Sequence, residues 1–242
     1  MFSPTQTVMS FHIFGIRVDI DRSLVMLVLL IGFLSGGIQN PIWAVSIVAM
    51  LVGSIFLHEM GHAWGCRVQG LPVRRVVLYG GGGLCEQARS ATRHQNELIV
   101  AMGPLVNLAI WALAGLGQWA LYAFIFSRIE GITPAQMTQA AADNAWIYDA
   151  GFYLDVLGRI NLALFLLNLI PVHPLDGGKL SELALTRVLP PRSASRISGW
   201  IGTIAAVLWW PALILLYVSS GWILFFAPSI RDHWRKAKGE QA

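Results

Sequence analysis

Five long apolar stretches, nearly free of charge, dominate the sequence: Ser23 to Ile38, Pro41 to about Cys66, Leu98 to Phe126, Leu154 to about Ile170, and Ile197 to Ala227. A lipid bilayer accepts ~20 such residues as one spanning helix. Only helices and closed barrels satisfy every backbone group within it. The expected fold is therefore an all-α polytopic membrane protein with about five to six transmembrane helices. The first stretch is short for a span, and the last is long and interrupted by Pro211. A mean hydropathy of +0.60, with only 12% charged residues, lies outside the range of soluble domains and points the same way.

The formal charge of +4 would suit a nucleic-acid binder, but the Lys and Arg residues lie between or after the apolar stretches and form no basic face. Membrane topology accounts for them, so the expected partner is the bilayer and no nucleic acid. No cleavable signal is expected, because Arg17, Asp19, Asp21 and Arg22 precede the first apolar run without a clear small-residue cleavage site. Two cysteines, Cys66 and Cys85, are too few for a disulfide framework and are expected to be free thiols.

Positive residues favour cytoplasmic loops. Arg67, Arg74, Arg75, Arg89 and Arg93 follow the second stretch and place that loop inside. The next connection, with Arg128, Glu130, Asp143, Asp149 and Asp155, is net acidic and is expected outside; Lys179, Arg187, Arg192 and Arg196 return to the inside. The tail carries Arg231, Arg235, Lys236 and Lys238 and also belongs inside, yet one crossing by the fifth stretch would leave it outside. Either the Trp209-Trp210-Pro211 break forms a re-entrant hairpin or the charge rule fails at the last loop. Trp200, Trp209, Trp210 and Trp222 read as interface anchors or packing residues. The sequence "VVLYGGGGL", Val76 to Leu84, predicts a short β-hairpin or re-entrant loop after the second span: a β-prone run, then a tight turn.

Chemistry enters at "HEMGH". His58 and His62 are four apart, hence on one face of a helix, with Glu59 beside them. H-E-x-x-H is a known zinc-protease pattern, in which the histidines bind the ion and the glutamate is the general base. One satisfied core histidine is an ordinary alternative. Three polar groups within five positions of an apolar segment are not, because lipid makes unpaired polar groups expensive. A catalytic zinc site typically has three protein ligands, so a third must come from elsewhere. The candidate lies in "NLIPVHPLDGGK", Asn168 to Lys179, where Pro171 and Pro174 break the helix ahead of Asp176. Broken backbone at membrane depth is tolerated only where it is buried in protein or lines a wet cavity. Counting ~1.5 Å per residue from Pro41 places His58 about 25 Å into the second span, near its cytoplasmic end. Asp176 follows the fourth span at that same end.

His58-Glu59-x-x-His62, followed about 110 residues later by Asn168-Leu-Ile-Pro-x-x-Pro-Leu-Asp176-Gly-Gly, resembles the site-2 protease family of intramembrane zinc metalloproteases. "GPLVN", Gly103 to Asn107, is a further pattern of the same core. The resemblance covers roughly Pro41 to Lys179. It implies that His58, His62 and Asp176 ligate one zinc per chain and that Glu59 activates the attacking water. It also implies that Asn107 and Asn168 face the active-site cavity as substrate or oxyanion contacts. The glycine loop, Gly80, Gly81, Gly82 and Gly83, resembles the strand on which the family receives an unwound substrate. The implied partner is a membrane-protein substrate with a transmembrane helix, cut near the cytoplasmic face. His173 departs from the family pattern, which usually has an apolar or aromatic residue there, and is a candidate to hydrogen-bond Asp176 or compete for metal.

The expected organisation is an amino-terminal segment with the first span (1–40), a zinc metalloprotease core (41–196), and carboxy-terminal membrane segments with a basic tail (197–242). Several residues have a plainer alternative. Asn107 is either interhelical glue or an oxyanion contact, Asn168 either a cap on broken backbone or a substrate contact, and the glycines either a flexible link or a strand turn. A metal transporter would spread ligands along a pathway, whereas here they lie at one depth. A non-proteolytic homologue that binds membrane proteins would not need all four catalytic positions.

Overall fold

The computed structural model describes residues 6–37, 39–129, 142, 144–220 and 226–240. Glu130, Asp143 and Trp222, used in the charge and anchor readings, lie outside the described residues. The chain opens with a hairpin, β1 (Thr7–Ile13) and β2 (Ile16–Asp21), followed by α1 (Arg22–Leu34) and α2 (Pro41–Val68). A second hairpin, β3 (Val73–Tyr79) and β4 (Gly82–Gln87), precedes the long α3 (Arg93–Ile129) and then α4 (Ala145–Asn168). Three helices follow: α5 (Asp176–Leu185), α6 (Pro191–Ser220) and α7 (Ile230–Lys238).

Among the described residues, four helices are long and apolar enough to cross a membrane: Pro41–Val68, Arg93–Ser127, Ala145–Asn168 and Pro191–Ser219. The protein is thus a multi-pass membrane protein. α2 is held at its start by Asn40, whose side chain accepts from the Trp43 amide at 3.1 Å, and by Pro41 in the first turn. Its 28 residues reach about 42 Å. α1 differs from the expected first span: its 13 residues reach only about 20 Å, short of the ~30 Å hydrocarbon core.

The all-α expectation is corrected by a four-stranded sheet in the order β1-β2-β3-β4. The second hairpin matches the reading of the sequence, with Tyr79 opposite Gly82 across a Gly80-Gly81 turn. The first was not foreseen. β2 joins β3 in parallel, Val18 opposite Val76 and Ile20 opposite Leu78, so the amino-terminal segment completes a sheet begun 50 residues later. Ile16, Val18, Val76 and Leu78 bury against Leu24 and Ala63, which packs the sheet on the second half of α2. Asp19 is fully buried between strands, with Oδ1 2.7 Å from Arg17 Nε and Oδ2 3.2 Å from Arg75 Nη1. Burial pushes its carboxyl up, but hydrogen bonds from Ser10, Arg17 and Arg75 outweigh this and hold it below its ordinary value.

The last apolar stretch neither breaks at Trp209-Trp210-Pro211 nor ends as a simple crossing. α6 continues through Pro211, and the chain later comes back along it: the Trp209 indole donates to the Phe226 carbonyl at 2.8 Å. An added Cβ on Gly202 would meet the His233 ring, and one on Gly199 would meet the backbone of Ala237. α7 therefore runs antiparallel to the first half of α6, and its basic residues share an end of the bundle with Arg192 and Arg196.

Candidate metal centre

Three side chains converge where α2 meets the first turn of α5. His58 Nε2 and His62 Nε2 each lie 3.1 Å from Asp176 Oδ2, and the two nitrogens lie 3.1 Å from each other. All three residues are buried. A cation bonded at ~2.0–2.2 Å to three tetrahedral ligands holds them about 3.3–3.6 Å apart, within a few tenths of an ångström of this triangle. A Glu59 carboxylate oxygen lies within 4.8 Å of the histidine nitrogens.

The protonation pattern follows from the partners behind the rings. Asn161 Nδ2 lies 2.9 Å from the Leu157 carbonyl, which only accepts, and donates also to Ser54 Oγ at 2.9 Å. Its Oδ1 therefore faces Asn107 and takes the Asn107 Nδ2–H at 2.8 Å. That leaves Asn107 Oδ1 for His58, so His58 Nδ1 carries the proton and donates at 2.6 Å. His62 Nδ1 donates likewise to the Ile99 carbonyl at 2.7 Å. Both Nε2 lone pairs then point at each other and at a carboxylate oxygen. Three acceptors crowded at this distance repel unless a cation sits among them, so the donor set fits a divalent metal.

The space beside that point is kept open by Gly103. A Cβ there would fall on Nε2 of His62 and within 2.7 Å of Nε2 of His58. Gly83 in β4 plays a similar part for Glu59, since a Cβ on it would overlap the Glu59 carboxyl. β4 is an edge strand of the sheet among the described residues, so a strand edge lies beside the glutamate. Next to Asp176 a cavity of about 240 Å³ opens between α3 and α5, lined by Asn96, Val100, Lys179, Glu182 and Leu183. Lys179 Nζ lies 3.7 Å from Asp176 Oδ1.

Residues 46–209 match Peptidase family M50. The chain belongs to this family, the site-2 proteases. Among relatives, a zinc metalloprotease of Methanocaldococcus jannaschii is 25% identical over 82% of this chain and 51% of its own length. Stage IV sporulation protein FB of Bacillus subtilis is 25% identical over 81% of this chain and 64% of its own. The M50 chain thus spans less than two thirds of either relative. The solved site-2 protease from M. jannaschii superposes with a TM-score of 0.57 at 22% identity, covering 96% of this chain and 93% of that one, a likeness of fold.

Within this M50 protein the sequence-predicted ligands His58, His62 and Asp176 come together with Glu59 beside them. Asn107 is fully buried, with its Oδ1 bound to His58 and its Nδ2 to Asn161, so both of its polar atoms are engaged within the protein. Asn168 ends α4 and donates to the Leu164 carbonyl of its own helix at 3.0 Å. Among the described residues His173 makes no hydrogen bond to Asp176; its Nε2 lies 2.9 Å from Lys236 Nζ and 3.4 Å from Glu182 Oε2. That His173 ring, then the Lys236 ammonium, holds the Glu182 carboxyl down to about 2 against the opposing effect of burial. Gly80 and Gly81 form the hairpin turn, with the Gly80 amide donating to Ser23 Oγ at 3.0 Å. Cys66 and Cys85 are free thiols.

Sequence reasoning missed Asn161 and Ser54. Each carried a signal. Asn161 is an amide within an apolar span, where such side chains bond across helices, and Ser54 lies one turn before His58 on the same helix face.

Proposed function

We propose that this chain is a zinc-dependent intramembrane endopeptidase. Its substrate is a membrane protein, cut within or next to a transmembrane segment near the cytoplasmic face of a cell membrane. The observation that carries this reading is the buried 3.1 Å triangle of His58, His62 and Asp176 with the Glu59 carboxylate alongside. His58, His62 and Asp176 would hold one zinc ion. Zinc in such a set lowers the pKa of coordinated water to ~7 and polarises a carbonyl it meets.

The remaining work falls to the protein. Glu59 takes the proton of the attacking water and passes it to the leaving amide nitrogen. Asn107 and the Ile99 carbonyl keep both imidazoles in the tautomer that presents Nε2. The β4 edge beside Glu59 suits β-addition of an extended substrate backbone, which exposes carbonyls that a helix hides. With Asn107 committed to His58, Asn168 is the remaining asparagine for a substrate contact.

The test uses purified protein and a single-span membrane protein reconstituted together. Wild type cuts within or beside the span, and a chelator stops it. Glu59→Gln keeps bound zinc and loses cleavage. A zinc-loaded wild type that cuts no single-span protein from a broad panel, or a Glu59→Gln variant with full activity, would overturn the proposal.

A further inference from the structure

α7 begins about 50 residues beyond the last metal-site motif, yet it touches the loop that carries the third candidate ligand. His233 Nε2 donates to the His173 carbonyl at 3.2 Å. Lys236 Nζ sits 2.9 Å from His173 Nε2 and 2.6 Å from Glu182 Oε2. Lys236 thus ties α7 both to the loop before Asp176 and to the helix after it.

That loop has little freedom to absorb a shift. A Cβ on Gly177 would strike the Leu169 and Ile170 carbonyls, and one on Gly178 would strike the backbone of Val172 and His173. The first turn of α5 is therefore folded hard against the loop that leads into it, and His173 and Asp176 move together. α7 is itself well anchored. Ser229 caps its start, Gly239 ends it in a left-handed turn at φ 79°, and His233 and Ala237 are buried against the glycines of α6. A helix of nine residues has little stability alone, so its order comes from this docking.

We propose that Lys236 is a positioning residue for the metal centre: from α7, through His173 and Glu182, it fixes the place of Asp176 opposite His58 and His62. The inference rests on the metal-centre reading above but not on the peptidase activity.

The test is metal affinity of the full chain in detergent, measured by zinc competition with a chelator and by the visible absorption of bound cobalt. Lys236→Met is expected to weaken zinc about 10-fold, the lower end for residues that orient metal ligands, and to alter the cobalt spectrum. Lys236→Arg, which keeps a donor cation, should recover most of the loss. Trp234→Ala is the control for helix docking alone, because Trp234 packs on Trp200 and, among the described residues, has no hydrogen bond or ring contact with the His173 loop; it should leave zinc affinity and the cobalt spectrum unchanged. Equal zinc affinity in Lys236→Met and wild type would overturn the proposal, as would an equal loss in Trp234→Ala. A wild type that binds no zinc at all would instead remove the metal-centre reading on which both proposals stand.

Discussion

His58 Nδ1 lies 2.6 Å from Asn107 Oδ1, the last link of a buried chain that runs from Ser54 through Asn161. Its far end is anchored on carbonyls, since Ser54 Oγ donates to Met50 O at 2.6 Å and Asn161 Nδ2 to Leu157 O at 2.9 Å. Each amide orientation fixes the next, and the chain ends by choosing the protonated nitrogen of His58.

Asn107→Ala is therefore expected to weaken zinc binding about 10–100-fold, the usual effect of removing a group that orients a metal-binding histidine. Asn161→Leu leaves the buried Asn107 Nδ2 without its acceptor and takes a donor from Ser54 Oγ, which costs about 1–3 kcal/mol of stability, and frees Asn107 to turn over. Chelator competition on both variants checks this. Unchanged affinity in Asn107→Ala would show that the hydrogen bond does not govern His58.

Gly103 gives a steric prediction. Gly103→Ala puts a methyl on the His62 ring and against His58 Nε2, so it should abolish zinc binding and lower stability by about 1–3 kcal/mol through overpacking. Gly115→Ala on the same helix meets nothing within 4 Å and should change neither. Zinc content after purification and thermal unfolding of the two variants separate the outcomes.

Gly83 separates binding from chemistry. The methyl of Gly83→Ala would overlap the Glu59 carboxyl without touching the histidines. Zinc should stay, while cleavage of a single-span substrate falls about 100-fold, the lower end of what a positioned acid–base group contributes. Loss of zinc in this variant would place Glu59 among the ligands.

The candidate metal centre was legible in the sequence because its parts are local. A four-residue helical spacing put His58 and His62 on one face, and paired prolines marked the break before Asp176. The β3–β4 hairpin was legible from its β-prone run and glycines. The β1–β2 hairpin was not, although Ile16, Val18 and Ile20 alternate with Arg17, Asp19 and Asp21. Those charges stood next to an apolar run and read as its flank, whereas Asp19 is buried and pairs with Arg75, 56 positions away. The same limit hid the Asn107–Asn161 bond and the return of α7 along α6. Charge patterning left the side of the last stretch's far end open, and the contact of Phe226 with Trp209 was not legible in it.

Glu182 gives the pH dependence. The His173 ring and the Lys236 ammonium at 2.6 Å hold its carboxyl at about 2, below the ordinary 4.5. A depressed carboxylate stabilises the fold above its unfolded value, and that contribution is lost as pH falls from about 4.5 through about 2. A shift of this size converts to about 3 kcal/mol at most, and the partial exposure of the pair reduces it to about 1 kcal/mol. At pH 6, Glu182→Gln should therefore melt about 2–4 °C below wild type. The gap should narrow steadily on acidification below pH ~4.5 and close near the folded pKa. Melting curves of both proteins in one detergent across that range check the sign. A gap that widens as pH falls would mean that Glu182 is stabilised in its protonated form, contrary to the Lys236 contact.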